Sequence, residues 1–393
     1  MPSSSVDLSP AGTRKLSQNG GSMAVLNQAL TPAAERRTAA REGEGRIFVD
    51  QTHCSRHVTG IERIALELFS PAALAPLRLT PVKAESRLAM IARQFLGLPL
   101  AALQNHRAVV LCPGFPPSPL LTLFGERVLP YIHDVFLLTR ARDLNFRAKA
   151  YMAGPFAFAV KRLPRFLVNS EHTERELRRH CRVDAEITLY RPCVRNVFGF
   201  TSTDRKGRPA TLGELRLVTL GTVEPRKNLT AAVAILAALR AHGFPQARLD
   251  VIGRIGWGTE VSVLRSSPGV TLHGYQSPAN VRALVEAADF LISTSHDEGL
   301  GLPLLEAQHG GIAVVAPTKP VFAEVLGRSG LLIDPDRPAD AAARIAALAR
   351  QPGWRERHAN SALHNLVRWN ASAENDRLAV IKLIGELAGA RAV

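Results

Sequence analysis

The chain has 393 residues, with 49 Lys and Arg against 34 Asp and Glu for a formal net charge of +15 at pH 7. Hydrophobic residues make up 46% and charged residues 21%, the proportions of a chain that buries a sizeable core. That balance excludes a mostly disordered protein, a collagen-like repeat and a disulfide-stapled mini-domain, and the length fits two domains at roughly 150 residues each. The basic surplus is uneven. Residues 41–200 carry 23 Lys and Arg against 14 Asp and Glu, whereas residues 201–393 carry 22 against 18. A basic first half attracts nucleic acid, anionic lipid head groups or phosphorylated substrates, and charge alone does not choose among them.

Cys54, Cys112, Cys181 and Cys193 form no C-x-x-C pair. That scatter predicts reduced thiols in a cytosolic protein, not a zinc site or a disulfide framework. No stretch offers the ~20 apolar residues of a membrane span. The opening MPSSSVDLSPAGTRKLSQNGG lacks an apolar signal core, so a secreted protein is not expected.

In chain order, residues 1–44 are rich in Ser, Ala, Gly, Thr and Arg without a sustained period and predict a flexible tail. Strand-like runs then alternate with helical ones over a first domain, 45–200. The strands are Arg46–Asp50, Ala108–Cys112, Val128–Ile132 and Phe166–Asn169, and the helices Ile61–Phe69, Asn145–Leu163 and Glu171–Cys181. Residues 201–213 read as a linker. A second domain, 214–370, restarts the rhythm with strands Leu215–Leu220, Arg248–Ile252, Val270–His273, Phe290–Ser293 and Ile312–Ala316, and a helix Leu229–Ala241. A helix over 371–393 is expected to pack back toward the first domain. Repeated βα units predict two doubly wound parallel sheets, whose ligands bind beyond the carboxyl ends of the strands.

Two strand-to-helix turns carry phosphate signals. In Gly221-Thr222-Val223-Glu224-Pro225-Arg226-Lys227-Asn228, a glycine ends a strand and two cations precede a helix. Cations there oppose the helix dipole unless an anion lies between them. In His296-Asp297-Glu298-Gly299-Leu300-Gly301-Leu302-Pro303, followed by Glu306, glycines precede a proline that fixes the helix start. Glu298 and Glu306 sit on different elements, and a carboxylate accepts paired hydrogen bonds from the hydroxyls that sugars and riboses present.

GTVEPRKN, VIGRIGWG, LHGYQS and EGLGLPLLEAQHGG, with RIFVD…TGIER, YIHDVFLLTR, FLVNSEHTERELRRH and RWNASAENDRLAVIKLI, resemble retaining glycosyltransferases of family 4, from about Arg46 to the C-terminal region. The resemblance implies an α/β fold of the GT-B type, two Rossmann-like domains facing a central cleft. It implies roles as well. Glu306 holds the ribose, Glu298 contacts the donor sugar, and the backbone of Gly299, Leu300 and Gly301 lies near sugar and phosphate, with Gly221 at the facing turn. Lys227, helped by Arg226, neutralises the diphosphate. His133 reaches the donor sugar across the cleft, Gly60 marks the first loop, and Tyr275 borders the base. Relatives often carry an arginine where this chain has Thr222, and two glycines where it has Gly60.

The resemblance further implies a nucleoside-diphosphate sugar as co-substrate, GDP-mannose being favoured by the EPRKN form, and no metal or other cofactor. The acceptor is expected to be a saccharide or lipid-linked oligosaccharide in bacterial polysaccharide biosynthesis. The enzyme would be cytoplasmic, either free or peripheral at the inner face of the membrane, and its partners would include no nucleic acid. The alternatives are a GT-B sugar phosphorylase or nucleotide-sugar epimerase, or a basic nucleic-acid-binding protein, which the 6% aromatic content disfavours.

Other signals have structural readings. Asp334-Pro335-Asp336 reads as a turn after a strand over Leu331–Ile333, and Asp134 and Asp297 are not assigned as nucleophiles. Arg87–Arg107 combines apolar density with basic flanks, which suits either a membrane face or a buried helix, and the buried helix is the expectation.

Overall fold

The computed structural model describes residues 45–54, 60–139, 149–201, 213–256 and 260–389. The tail expected over 1–44 and nearly all of the linker expected over 201–213 lie outside them. Two six-stranded sheets, parallel throughout, organise the rest.

The first sheet contains β1 (Ile47–Asp50), β2 (Leu79–Val82), β3 (Val109–Cys112), β4 (Val128–Ile132), β5 (Arg165–Val168) and β6 (Glu186–Leu189) in the order β2-β1-β3-β4-β5-β6. The second contains β7 (Arg216–Leu220), β8 (Arg248–Ile252), β9 (Val270–Gly274), β10 (Phe290–Ile292), β11 (Ala313–Pro317) and β12 (Gly330–Ile333) in the order β12-β11-β10-β7-β8-β9. The central strands β3, β4 and β11 are buried along their whole length, because helices cover both faces. In each sheet the chain reverses its direction of winding once, between β1 and β3 and between β7 and β10. Crevices open at such points, beyond the carboxyl ends of the strands.

The helices used below are α1 (Gly60–Leu68), α2 (Arg87–Ala92), α3 (Leu98–Gln104), α4 (Glu171–Arg178), α5 (Leu229–Ala241), α6 (Leu302–Gln308), α7 (Pro320–Leu326) and α8 (Trp354–Leu387). On α5, Leu229, Ala232, Ile235, Leu236 and Leu239 share one face and are buried, the spacing of an amphipathic helix. The closing helix α8 starts well before residue 371 and spans both halves. Leu366 and Trp369 pack into the core beside β10 and β11, while Val380 and Ile384 pack into the core beside β1 and β3. Trp369 donates its indole N–H to the Pro192 carbonyl at 2.9 Å, and Arg191 pairs with Asp376 at 2.9 Å.

One sequence expectation is overturned. Arg87–Arg107 is not a buried helix but α2, a π-helical turn over Arg93–Gly97, and α3. Gln94, Leu98, Pro99 and Ala102 face the core, whereas Leu88, Ile91, Leu96, Leu100 and Leu103 face outward. The segment is apolar around its circumference, and only one stripe of it meets the sheet. One neighbouring expectation differs in detail. The helix expected over Asn145–Leu163 is a π-helical turn at Lys149–Ala153 followed by a helix at Gly154–Arg162, its first residues lying outside the described ones. Asp334 accepts the Asp336 amide at 3.0 Å, an Asx turn after β12.

Candidate active site

The two signal turns follow β7 and β10, the strands flanking the switch point of the second sheet. They converge there: Gly221, Thr222, Lys227, Ser295, Glu298, Gly301 and Pro303 line one narrow crevice. Gly221 and Gly301 have φ of +139° and +77°, backbone that a side chain disfavours. Gly301 caps α6, which starts at Leu302 with Pro303 in its first turn.

Glu298 is the hub of this crevice. Its Oε1 accepts from Lys227 Nζ at 2.6 Å and from Ser295 Oγ at 2.8 Å, and its Oε2 accepts from Arg226 Nη1 at 2.9 Å. Burial alone would raise its pKa, but Lys227 and Arg226 outweigh burial and hold the carboxyl below its usual range. The anion that the two cations demand is therefore supplied by the chain itself. Arg226 is further engaged by Glu224 at 2.7 Å and the Asp297 carbonyl at 3.1 Å, and lies over the Phe136 ring. Both guanidinium edges are thus committed to protein groups. Lys227 is the cation that lines the crevice, its side chain lying against Gly221.

The first sheet contributes His133, just past β4. Its Nε2 lies 2.8 Å from the Pro113 carbonyl. A carbonyl only accepts, so Nε2 carries the proton and Nδ1 keeps a lone pair. Burial pushes the pKa of His133 down to about 4, with the Pro113 contact opposing that shift and His53 reinforcing it. Beside it, burial raises Asp134 to about 6, while the Phe136 amide and Arg226 act the other way. Gly299 meets this strand end directly: a Cβ there would stand 2.1 Å from the His133 carbonyl oxygen. Its glycine is demanded by close approach of the two halves. Ser170 and Thr173 of the adjoining turn donate to the Gly299 carbonyl at 2.9 and 3.2 Å. Asp134, Phe136, Asp297, Glu298 and Gly299 line a cavity of about 320 Å³ between the sheets.

The remaining sequence candidates sit apart from the crevice. Glu306 is buried on α6 and forms an ion pair with Arg63 of α1, across the cleft. Burial raises its pKa, partly opposed by Arg63. The Leu300 side chain packs in the core, leaving only its backbone for a ligand. Tyr275 is 74% exposed and stacks with Arg254. Gly60 opens α1, with open space where a side chain would begin. Sequence reasoning missed Arg63, Ser295, Phe136 and the Pro113 carbonyl, whose parts depend on contacts distant in the chain. Among the described residues, no group of three or more His, Cys, Asp or Glu is placed to hold a metal ion.

Two parallel doubly wound sheets facing a cleft, with paired charges at one switch point, define a GT-B protein. Residues 214–351 match the model of the family described as glycosyl transferases group 1. Among its relatives, the O-antigen chain mannosyltransferase B of Escherichia coli is 30% identical over 142 residues, 35% of this chain and 37% of the relative. A D-inositol 3-phosphate glycosyltransferase of Thermomonospora curvata is 26% identical over 314 residues, 73% of this chain and 66% of the relative. The matches thus span between about a third and two thirds of the length of these relatives. Of the solved structures, sucrose-phosphate synthase from Thermosynechococcus elongatus superposes with a TM-score of 0.66 at 14% identity, covering 87% of this chain and 99% of that one. At that identity the likeness is one of fold.

Proposed function

We propose that this chain is a retaining glycosyltransferase that moves a sugar from a nucleoside-diphosphate sugar to a saccharide or lipid-linked acceptor in bacterial polysaccharide biosynthesis. The observation that carries the reading is the meeting of Gly221, Lys227, Glu298 and Gly301 in one crevice, with Asp134 of the other sheet lining the adjoining cavity that shares Glu298. Mannose is the favoured sugar and GDP the favoured carrier, supported by the similarity to a mannosyltransferase over a third of the chain.

In this reading Lys227 is shared between Glu298 and the donor diphosphate, while Arg226 keeps Glu298 ionised and in place. Glu306 turns from Arg63 to the ribose hydroxyls. The neutral His133 accepts a hydrogen bond from a donor-sugar hydroxyl through Nδ1. Tyr275 borders the base from the rim, and Gly60 lets the start of α1 adjust. As the anomeric carbon–oxygen bond breaks, its electron pair goes to the phosphate oxygen. Fixed positive charge and N–H donors aimed at that oxygen stabilise the developing anion. The acceptor hydroxyl bonds to the anomeric carbon on the same face and gives its proton to the departing phosphate oxygen, so no protein nucleophile is assigned. No metal is required, because the chain supplies the cation.

Among the described residues no helix is long and apolar enough to cross a membrane. The reading places the enzyme in the cytoplasm, peripheral to the membrane. It is tested by thermal shift with GDP, UDP, ADP and their sugar conjugates, followed by assay of nucleoside diphosphate release. A rise in melting temperature with one nucleotide, lost in Lys227→Ala, is expected. No response to any nucleotide would overturn the reading.

A further inference from the structure

The segment overturned above leaves a feature that the donor site does not use. Leu88, Ile91, Leu96, Leu100 and Leu103 form an outward stripe, with Leu88, Leu96 and Leu103 exposed to 80%, 58% and 67%. The five-residue step from Ile91 to Leu96 crosses the π-helical turn, whose wider turn keeps both residues on one side. Leu123 of the 3-10 segment Leu121–Arg127, and Leu120 just before it, are also exposed. Soluble chains seldom gather this much aliphatic surface without a partner.

The rim of the stripe is basic. Between residues 83 and 107 stand Lys83, Arg87, Arg93 and Arg107, all exposed, against the single acid Glu85. The stripe also adjoins a cavity of about 1070 Å³ at the switch point of the first sheet. Ser86, Arg87 and Met90 form one wall of that cavity, and Thr52, His53, Glu62, Gly114 and Phe115 the other. His53 is 8% exposed, and its Nδ1 has no partner.

We propose that the stripe seats on an anionic lipid bilayer and holds the adjoining cavity at the level of the head groups, so that the acceptor is a membrane-borne saccharide. The part concerning the acceptor rests on the glycosyltransferase reading. Leucines at the acyl boundary and arginines among anionic head groups are the arrangement of an interfacial amphipathic segment. A second copy is a poorer occupant, because it would bring two like-charged rims together.

The test is flotation of the full chain with vesicles of phosphatidylethanolamine and phosphatidylglycerol, against vesicles of phosphatidylcholine alone. The anionic vesicles should bind at least about tenfold more protein, and added salt should weaken the binding. The variant L96E/L100E/L103E should lose about tenfold of that binding while keeping its melting temperature and its thermal response to nucleotides, since all three positions are exposed and outside the crevice. Equal binding by the variant, or none by the native chain, would overturn the proposal. So would binding that appears only after removal of residues 1–44, which would make that segment the occupant. A concentration-dependent dimer lost in the variant would make the face a contact between copies. Vesicle binding needs no donor, so its failure is distinct from failure of the glycosyltransferase reading.

Discussion

Replacing Glu298 by glutamine keeps the shape of the hub and removes its charge. Lys227 and Arg226 then lose the carboxylate that receives them at 2.6 and 2.9 Å. Breaking a buried ion pair from one side costs roughly 3–5 kcal/mol. Here Arg226 keeps Glu224, and the Arg226 and Lys227 side chains retain 26% and 17% exposure, so about 2–3 kcal/mol is expected. For a chain of this size that is a fall in melting temperature of about 2–4 °C. A bound diphosphate returns negative charge beside the two cations, so GDP should raise the melting temperature of Glu298→Gln at least as much as that of the native chain. Transfer should still fall. A charge-assisted hydrogen bond to the donor sugar is worth ~1.5–3 kcal/mol, which corresponds to roughly tenfold to a hundredfold in turnover. Scanning fluorimetry with and without GDP, and release of nucleoside diphosphate, measure all three effects. An unchanged melting temperature, or a GDP response that disappears, would refute the placement of Glu298 between cations and sugar.

Glu306→Gln should weaken nucleoside diphosphate binding by roughly tenfold to a hundredfold while leaving inorganic pyrophosphate binding unchanged, because the reading gives Glu306 a contact to the ribose and none to the diphosphate; calorimetry with both ligands separates the two. His133→Gln should make the protein less sensitive to acid. Native His133 titrates near 4 against about 6.5 in the unfolded chain, so the unfolded state binds more protons between those values and stability falls as pH drops through them. The native chain should therefore lose about 1–2 kcal/mol more than the variant between pH 7 and pH 5, measured by urea denaturation at each pH. Asp134, raised to about 6, acts with the opposite sign from about pH 4 to 6 and remains in both proteins. Activity should persist in excess chelator, and a strict requirement for a divalent cation would contradict the role given to Lys227.

Much of the fold is legible in the sequence for a local reason. Strands such as Val128–Ile132 and Arg248–Ile252, and the helix Leu229–Ala241, fall where their apolar runs place them, since each is buried by its own pattern. The two strands not anticipated, Leu79–Val82 and Glu186–Leu189, are both at sheet edges. The first contains Pro81, tolerated only where one side of the strand needs no hydrogen bond, and the second is largely uncovered. Neither carries the apolar signal of a central strand. The outward leucines of α3 are misread for a related reason: periodicity reports an apolar face without saying whether anything covers it.

The candidate site divides in the same way. Gly221, Lys227, Glu298 and Gly301 are legible because each lies in a turn whose composition a strand and a helix do not require. Their pairing is not. A sequence in which two cations precede a helix asks for an anion, and a bound phosphate and Glu298 satisfy that demand equally well on paper. Only the crossing from β7 to β10 puts Glu298 between them. The same holds for Arg63, whose carboxylate partner Glu306 is 243 positions away. These pairs neutralise Lys227 within the ligand-free crevice and Glu306 apart from it, so in the proposed reading a donor draws each from a protein partner. A donor offering only a diphosphate or only a ribose would replace one of the two pairs and leave the other intact. An intact nucleoside diphosphate can exchange both at once, and this favours the whole nucleotide over its fragments beyond what either contact provides alone.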